Sequence, residues 1–475
     1  MSAPERIEGA RVGVIGLARS GTAVARLLAE RGARVYASDA ERRDETRGSA
    51  AALLAAGIDV EIGGHDRGRL AACDWIVVSP GVPPSAPILL DPAIAGRPIY
   101  SEIEVASWLA AAPIAAITGT NGKTTTTALL GAIAREGGLD VAVAGNIGEA
   151  FSAAVRERRT VDWYVLEVSS FQLARIATFR PRVAVVLNVA PDHLDVYPDL
   201  EAYVADKRRI LENMGPEDDL VLNREDPVVA DFAGDARAGP ALHWFDRTGN
   251  LAAKAGTGAT ADSPRRGAAV VDGWIALVDE PGEGRILPVD RLGIPGAHNV
   301  QNALAATAAA ARRGVGPEAI ARALATFPGV PHRLETVAEE DGVRFVNDSK
   351  ATNVESTVVA IEAFDAPLVV ILGGRHKGSP YARLLPGLEA RARRVLAIGE
   401  AADRIAGELG GVVDVEVAGT LERAVERARE IARPGDVVLL SPACSSYDQF
   451  ENYERRGDAF RDLARRAVCP PGGAR

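Results

Sequence analysis

The chain has 475 residues, 47% of them hydrophobic, with 54 Lys+Arg against 64 Asp+Glu and a net charge of −10. That length exceeds one hydrophobic core and predicts roughly two to four domains, so a disordered chain is not expected. The acidic balance argues against nonspecific nucleic-acid binding, which needs clustered cations, although a local basic cleft stays open.

Cys73, Cys444 and Cys469 are few and far apart. They read as small buried hydrophobes in a reducing cytoplasm rather than as a disulfide framework. The N-terminus lacks a basic segment followed by a long apolar one, so no signal peptide is expected. The longest apolar stretch, Val105 to Ile117, contains Ser107 and Pro113 and falls short of the ~20 residues a membrane helix needs. Lysine occurs only at 123, 207, 254, 350 and 377, and arginine supplies the other cations. A lysine kept in such a chain suggests a need for a compact, rotatable or modifiable amine.

In chain order, a strand Arg11–Gly16 leads through a small-residue turn into a helix Thr22–Arg31. A second strand, Ala33–Asp39, then ends on an acid. This is the strand–turn–helix–strand pattern of a nucleotide-binding unit, with Asp39 placed like a ribose ligand. The turn Gly16-Leu-Ala-Arg-Ser-Gly21 has Ala18 where a dinucleotide fingerprint wants glycine. A nicotinamide dinucleotide is therefore disfavoured, while another nucleotide-like ligand or mere tight packing both remain open. A further strand, Asp74–Ser79, runs into Pro80-Gly81 at a strand's C-terminal end, where doubly wound sheets bind ligands.

A second segment begins near Pro113. Strand Ile114–Thr118 enters Gly119-Thr-Asn-Gly-Lys-Thr-Thr125 and then a helix Thr126–Glu136 stopped by Gly137-Gly138. The loop has the form of a Walker A phosphate loop with fewer residues between its glycines. Its N–H groups would cradle phosphates, Lys123 would reach the β/γ-phosphates of ATP, and Thr124 would hold Mg²⁺. Strand Trp163–Glu167 ends in a carboxylate where such enzymes place a metal-binding acid. Strand Val183–Asn188 delivers Pro191-Asp-His-Leu-Asp195 to the same sheet edge, where His193 could ligate a metal, act as a base or cap a turn. Residues 233–270, rich in Gly, Ala and Asp, read as a loop-rich excursion. After the linker Phe327–Pro331 a third segment alternates strands (Pro367–Leu372, Arg394–Ile398, Asp436–Leu440) with helices, which predicts a parallel sheet.

Seven motifs now stand in order: Thr118–Thr124, Leu166–Gln172, Asn188–His193, Gly296–Ala303, Val330–Arg333, Asn347-Asp-Ser-Lys-Ala-Thr-Asn353, and Ser441-Pro-Ala-Cys-Ser-Ser446 with Asp448-Gln-Phe450. Together they resemble the Mur ligase family over about residues 12–460, and the last two resemble its D-glutamate-adding branch. The resemblance implies an α/β chain with three domains in series: a Rossmann-like UDP-substrate domain over 1–110, a central P-loop ATPase-type domain over 111–326, and a Rossmann-like amino-acid domain over 327–475. It also implies a cytoplasmic monomer that joins UDP-N-acetylmuramoyl-L-alanine to D-glutamate with ATP and Mg²⁺, through an acyl phosphate, in peptidoglycan precursor synthesis.

Residue by residue, the resemblance gives catalytic roles to Lys123, Glu167, His193, Lys207 and Lys350. It gives ATP contacts to Gly119, Thr120, Asn121, Gly122, Lys123, Thr124, Thr125, Asn299, Asn302, Arg333 and Asp348. The metal would be held by Thr124, Glu167, His193 and Lys207, the last as a CO₂-derived carbamate that arginine could not form. UDP-substrate contacts fall on Leu17, Ala18, Arg19, Ser20, Asp39, Gly81, Asn146 and His193. D-Glutamate contacts fall on Thr352, Lys377, Ser446, Tyr447 and Tyr453. Asn299 and Asn302, spaced i and i+3, would present amides to a nucleobase from one helical face. The cation from the third domain implies closure around a hydrolysable intermediate. One departure stands out: a basic residue is expected two positions after Asp39, and Glu41 is there, with Arg42 and Arg43 next. Rival readings are a sibling ligase for another amino acid, a folylpolyglutamate synthase, a dinucleotide oxidoreductase and a regulatory ATP-binding module. Amino-acid-dependent phosphate release separates the first two from the others.

Overall fold

The computed structural model describes residues 6–158, 160–193, 196–236, 239–249, 266–279, 282–294 and 296–466, apart from the side chains at 44 and 45. Lys254, Cys469, Asp195 and positions 250–265 of the expected excursion lie outside the described residues. The chain divides into two compact units, residues 1–292 with 301–326, and residues 293–300 with 327–475.

The first unit holds two sheets. Strands β1 (Arg11–Ile15), β2 (Arg34–Asp39), β3 (Asp59–Ile62), β4 (Trp75–Val78) and β5 (Ile99–Ser101) pair in parallel in the order β3-β2-β1-β4-β5. Apolar residues cover both faces of β1 and β4, as a buried parallel sheet requires. The second sheet comprises β6 (Ile114–Thr118), β7 (Val141–Gly145), β8 (Trp163–Glu167), β9 (Val183–Val186), β10 (Asp219–Asn223), β11 (Ala241–Asp246), β12 (Arg266–Val271), β13 (Trp274–Asp279) and β14 (Gly282–Pro288). Its order is β14-β13-β12-β11-β10-β9-β6-β8-β7. From β7 to β12 the pairing is parallel, and β12, β13 and β14 form antiparallel hairpins.

These strands revise the sequence reading of 233–270. Ala241–Asp246 and the start of β12 continue the sheet. The small residues of β12 suit its crowded place, since a Cβ on Gly267 would meet Trp244 O at 1.8 Å.

The two sheets of this unit are tied by the helix Glu102–Ser107, which follows β5. The Glu104 carboxylate is fully buried. It accepts hydrogen bonds from Ala177 N (2.9 Å), Thr178 N (2.8 Å), Thr178 Oγ1 (2.7 Å), Phe179 N (2.8 Å) and Trp108 Nε1 (2.8 Å). Glu102 adds a bond from Ser152 N. Leu27 of the first helix, Arg19–Glu30, packs into the same core as β6 and β8.

The second unit holds β15 (Glu335–Glu340), β16 (Val343–Asn347), β17 (Leu368–Gly373), β18 (Ala392–Ile398), β19 (Val415–Gly419) and β20 (Val437–Leu440), in the order β15-β16-β20-β17-β18-β19. It is parallel as expected except for β15, an antiparallel edge strand hairpinned to β16. Helices cover both faces, and two apolar clusters fill the layers between.

Candidate active site

Because β7, β8, β6 and β9 are parallel neighbours, their C-terminal ends open on one edge. The loop after β6 lies at its centre. Helix Lys123–Glu136 begins at Lys123, earlier than the expected Thr126, so its first N–H groups belong to the loop itself. Gly122 caps it with φ +85°, and a Cβ there would stand 2.3 Å from Asn302 Oδ1. Glycine is thus required both for the backbone angle and for the space.

The loop is pinned from β9. Asn188 O accepts from Thr120 N (2.8 Å), Asn188 Oδ1 accepts from Asn121 N (2.8 Å), and Asn188 Nδ2 donates to Asn121 O (3.0 Å). Asn188 lay inside a quoted motif yet received no role. Its position at the end of an apolar strand was the available signal. Thr120 Oγ1 also meets the Tyr203 hydroxyl at 3.1 Å, and Asn302 Oδ1 accepts from Thr126 Oγ1 at 3.2 Å.

Two lysines converge on this loop. Lys123 Nζ donates to Gly119 O (2.9 Å) and Thr120 O (2.7 Å), and Lys207 Nζ donates to the same Gly119 O (2.9 Å). Lys207 comes from the helix Leu200–Arg208. It is buried, and its ammonium lies 4.3 Å from the Tyr203 ring centre. Burial, together with the neighbouring Lys123 charge, pushes the Lys207 amine well below its ordinary range. Asp206 beside it is pushed up, chiefly by burial, and accepts from the Tyr197 hydroxyl at 2.9 Å.

Glu167 ends β8 in a buried position, where Asn146 Nδ2 donates to its Oε1 (3.0 Å) and Asn146 N to its carbonyl (2.9 Å). His193 adopts φ 56°, packs edge-on to Phe171 (5.0 Å between ring centres) and turns Nε2 toward Asp192 (3.7 Å). Among the described residues no group of three His, Cys, Asp or Glu could hold a metal. A cation here would instead rest on oxygen donors, the Thr124 hydroxyl and the Glu167 carboxylate, completed by phosphate oxygens. That set fits a hard ion such as Mg²⁺, which is commonly held by one or two carboxylates plus phosphate.

The first sheet contributes mostly backbone. Leu17 is in the core, and its N–H donates to Asp39 Oδ2 (2.7 Å), while Glu41 N donates to Asp39 Oδ1 (2.9 Å). Ala18 precedes the helix, and Arg19 and Ser20 open it, three residues earlier than expected. Glu41 pairs with Arg43, and Arg42 lies across Gly63 with Nε donating to Ile62 O (3.3 Å). Gly81 follows Ser79-Pro80 at the end of β4. Beside that turn opens a cavity of about 480 Å³, walled by Pro80, Val82, Phe171 and Tyr197, with Gln172 and Arg175 as polar lining. Gln172 Oε1 accepts from Ser169 in a capping box, whereas its buried Nε2 has no protein partner.

In the second unit, β16, β20 and β17 are adjacent and parallel, so the loops 348–353, 441–446 and 374–378 share an edge. Lys377 Nζ reaches Thr352 Oγ1 at 3.4 Å, the Lys350 ammonium lies 5.6 Å from the Tyr453 ring centre, and Ser349 Oγ donates to Tyr453 O (2.8 Å). Ser446 is buried and Tyr447 exposed. Asp348 is buried and accepts from Ser441 Oγ (2.9 Å) and Leu334 N (3.3 Å); burial pushes its carboxyl up to about 7 against the pull of nearby Arg333. Asn299 is likewise buried. Sequence reasoning missed Arg456, whose buried guanidinium donates to Ser349 O (2.9 Å) and Cys444 O (3.1 Å).

Three family profiles match the chain: a Mur ligase MurD-like N-terminal domain over residues 10–101, a Mur ligase middle domain over 117–310, and a Mur ligase glutamate ligase domain over 332–444. The chain belongs to the Mur ligase family. Among relatives of this Mur ligase, the UDP-N-acetylmuramoylalanine–D-glutamate ligase of Salinibacter ruber is 46% identical over 97% of this chain and 98% of its own. The enzyme of that name from Acidobacterium capsulatum is 45% identical over 96% of each. Solved structures share the Mur ligase fold. The UDP-N-acetylmuramate-alanine ligase of Thermotoga maritima has a TM-score of 0.57 and 19% identity, covering 95% of this chain and 98% of its own. A pseudomurein peptide ligase type C from Methanothermus fervidus gives 0.57 at 24% identity, covering 91% and 96%. No helix among the described residues is long and apolar enough to cross a membrane.

Proposed function

We propose that this Mur ligase joins UDP-N-acetylmuramoyl-L-alanine to D-glutamate in the cytoplasm, with ATP as the phosphoryl donor. The observation that carries the ATP half is the convergence of Lys123 and Lys207 on the Gly119 carbonyl at the head of β6. Near-full-length similarity to D-glutamate ligases supports the choice of substrates.

The alanyl carboxylate attacks the γ-phosphorus, ADP leaves, and the resulting acyl phosphate is attacked by the amine of D-glutamate. The tetrahedral adduct releases phosphate and leaves an amide. Phosphoryl transfer of this kind is accelerated mainly by positioning and by cations near the equatorial oxygens. The loop N–H groups and the start of helix Lys123–Glu136 orient the phosphates, and Lys123 exchanges its loop carbonyls for phosphate oxygen. Thr124, Glu167, His193 and a carbamate on Lys207 would hold Mg²⁺, which would supply neutralising charge and a template for the phosphates. Asn146, already on Glu167, approaches the alanyl end of the sugar peptide. The cavity beside Pro80 and Phe171 takes the sugar, and the backbone around Leu17 and Asp39 takes the uridine end.

Lys207 acts as a carbamate in this reading. Its amine is held below its ordinary range, so it is more readily neutral, and a neutral amine adds CO₂ to give a carbamate and a proton. Conversion would replace a cation beside Lys123 by an anion. Lys377, Thr352 and Ser446 bind the two carboxylates of D-glutamate, which need cationic and hydroxyl donors, with Lys350, Tyr447 and Tyr453 close by in sequence or space. Arg333, Asp348, Asn299 and Asn302 are the further residues that the family resemblance assigns to the nucleotide.

The test is phosphate release from ATP with UDP-N-acetylmuramoyl-L-alanine and a panel of D- and L-amino acids, with product mass read in parallel. Release and a matching mass gain with D-glutamate alone are expected. A requirement for another amino acid would retire the substrate assignment, and amino-acid-independent release would retire the ligase.

A further inference from the structure

The loop carrying Lys377 is held from inside by a side chain that the reaction scheme does not use. Tyr381 is fully buried. Its hydroxyl lies 3.0 Å from His376 Nδ1 and 2.9 Å from Cys444 Sγ, and its backbone N–H donates to Glu408 Oε2 at 2.7 Å. His376 immediately precedes Lys377, and Cys444 stands two residues before Ser446. One hydroxyl therefore joins the loop after β17 to the loop after β20.

The chemistry of the three groups is that of a tether. Burial lowers His376 and raises both Tyr381 and Cys444, which keeps all three uncharged near neutral pH, with Arg404 and Glu408 the charged groups facing His376. Cys444 is accordingly a poor nucleophile. His376 Nε2 is buried without a hydrogen-bond partner, so the contact of Nδ1 with the tyrosine hydroxyl is what holds the ring in one orientation. The backbones of the two loops also pair independently, through Arg375 N to Ser445 O (2.9 Å) and Ser445 N to Arg375 O (3.2 Å). The fold can thus survive loss of the hydroxyl while the loop beyond Arg375 gains freedom.

We propose that the Tyr381 hydroxyl is a positioning group for the dicarboxylic amino-acid substrate, acting through His376 on the placement of Lys377. This rests on the reading of Lys377 and Ser446 as ligands of that substrate. Tyr381 itself touches neither the substrate nor the reacting atoms.

The experiment is steady-state kinetics of the full-length chain with ATP, Mg²⁺ and UDP-N-acetylmuramoyl-L-alanine. Tyr381→Phe keeps the ring and removes only the hydroxyl. The expected result is a KM for D-glutamate raised about five- to tenfold, the scale of one lost hydrogen bond. kcat and the KM values for the other two substrates should stay within about twofold. Cys444→Ser, which keeps a hydrogen-bonding partner for the tyrosine, should stay near the parent. An unchanged KM for D-glutamate in Tyr381→Phe overturns the proposal. So does a joint fall of kcat with a rise of all three KM values, which would mark a merely structural role. If the parent chain uses another amino acid, the substrate reading fails separately, and the Tyr381→Phe effect is scored on that amino acid.

Discussion

Replacing Glu104 by Gln tests how the first two sheets are joined. Glu104 Oε2 accepts from Ala177 N and Phe179 N, and Oε1 accepts from Thr178 N, Thr178 Oγ1 and Trp108 Nε1. A glutamine has one acceptor oxygen and one NH₂ group. If the NH₂ takes the Oε2 place, it faces two backbone N–H groups. If it takes the Oε1 place, it faces Thr178 N–H and the indole N–H, and only the Thr178 hydroxyl can turn to accept. In the second arrangement the indole keeps the Thr178 hydroxyl as an acceptor at 3.1 Å, so one or two donors lose their partner, at about 1.5–3 kcal/mol each, and the expected loss is about 1.5–6 kcal/mol. Trp108 packs on Trp75 with ring centres 5.5 Å apart, so tryptophan fluorescence during urea unfolding reports directly on this joint. Amide exchange at residues 177–179 should accelerate in parallel. A loss below ~1 kcal/mol with unchanged exchange would show that the five hydrogen bonds do not act as derived.

Three further outcomes follow from the same geometry. Lys207→Met should lower kcat by about a hundredfold or more, the scale of removing one preorganised charged group, while the parent chain labelled with ¹³C-bicarbonate shows a carbamate carbon that the variant lacks; a parent chain without that signal rules out the carbamate. Gly21→Ala forces a Cβ to 1.8 Å from Gly16 O and 2.7 Å from Ser79 Oγ, and should cost ~3 kcal/mol or more in thermal unfolding; a melt unchanged from the parent would contradict the tight turn. Asp348 binds its proton more tightly folded, at about 7, than unfolded, at about 3.9, so its stabilising contribution is complete below about pH 4 and is lost as pH rises through 7. Asp348→Asn should therefore gain on the parent by up to ~4 kcal/mol between pH 4 and 8 in urea unfolding, and a pH-independent difference would refute this.

The phosphate loop was legible because its signals are local: an apolar strand, two glycines and a lysine at a helix start. The first turn was legible in kind but not in extent, since Arg19 and Ser20 already belong to the helix while nothing in their side chains announces it. The strand Ala241–Asp246 was hidden within a stretch rich in small and polar residues. Its His243 is buried with Nε2 2.7 Å from Asp219 on the neighbouring strand, a pairing that no local window shows. Lysine scarcity drew attention to Lys207 and family resemblance gave it a role, but its burial could not be read, because its helix has no marked apolar face. Glu104 and Tyr381 were out of reach altogether. Apart from the local contacts to Trp108 and His376, the partners that give them their roles lie 73 to 75 residues from Glu104 and 63 from Tyr381, and such pairings follow from sheet order rather than from any window of sequence.

The weld at Glu104 also bears on substrate length. A hinge lets an enzyme adapt to ligands of different sizes, but five hydrogen bonds to one buried carboxylate leave little slack at this joint. The turn after β1 and the loop after β6 are then two fixed marks on a ruler. With the uridine end at the turn after β1 and the alanyl end at the loop after β6, as proposed, a glycopeptide nucleotide of the right span would reach both at once. A shorter analogue would then bind one mark and leave the other idle, because this joint offers little slack for bending to meet it.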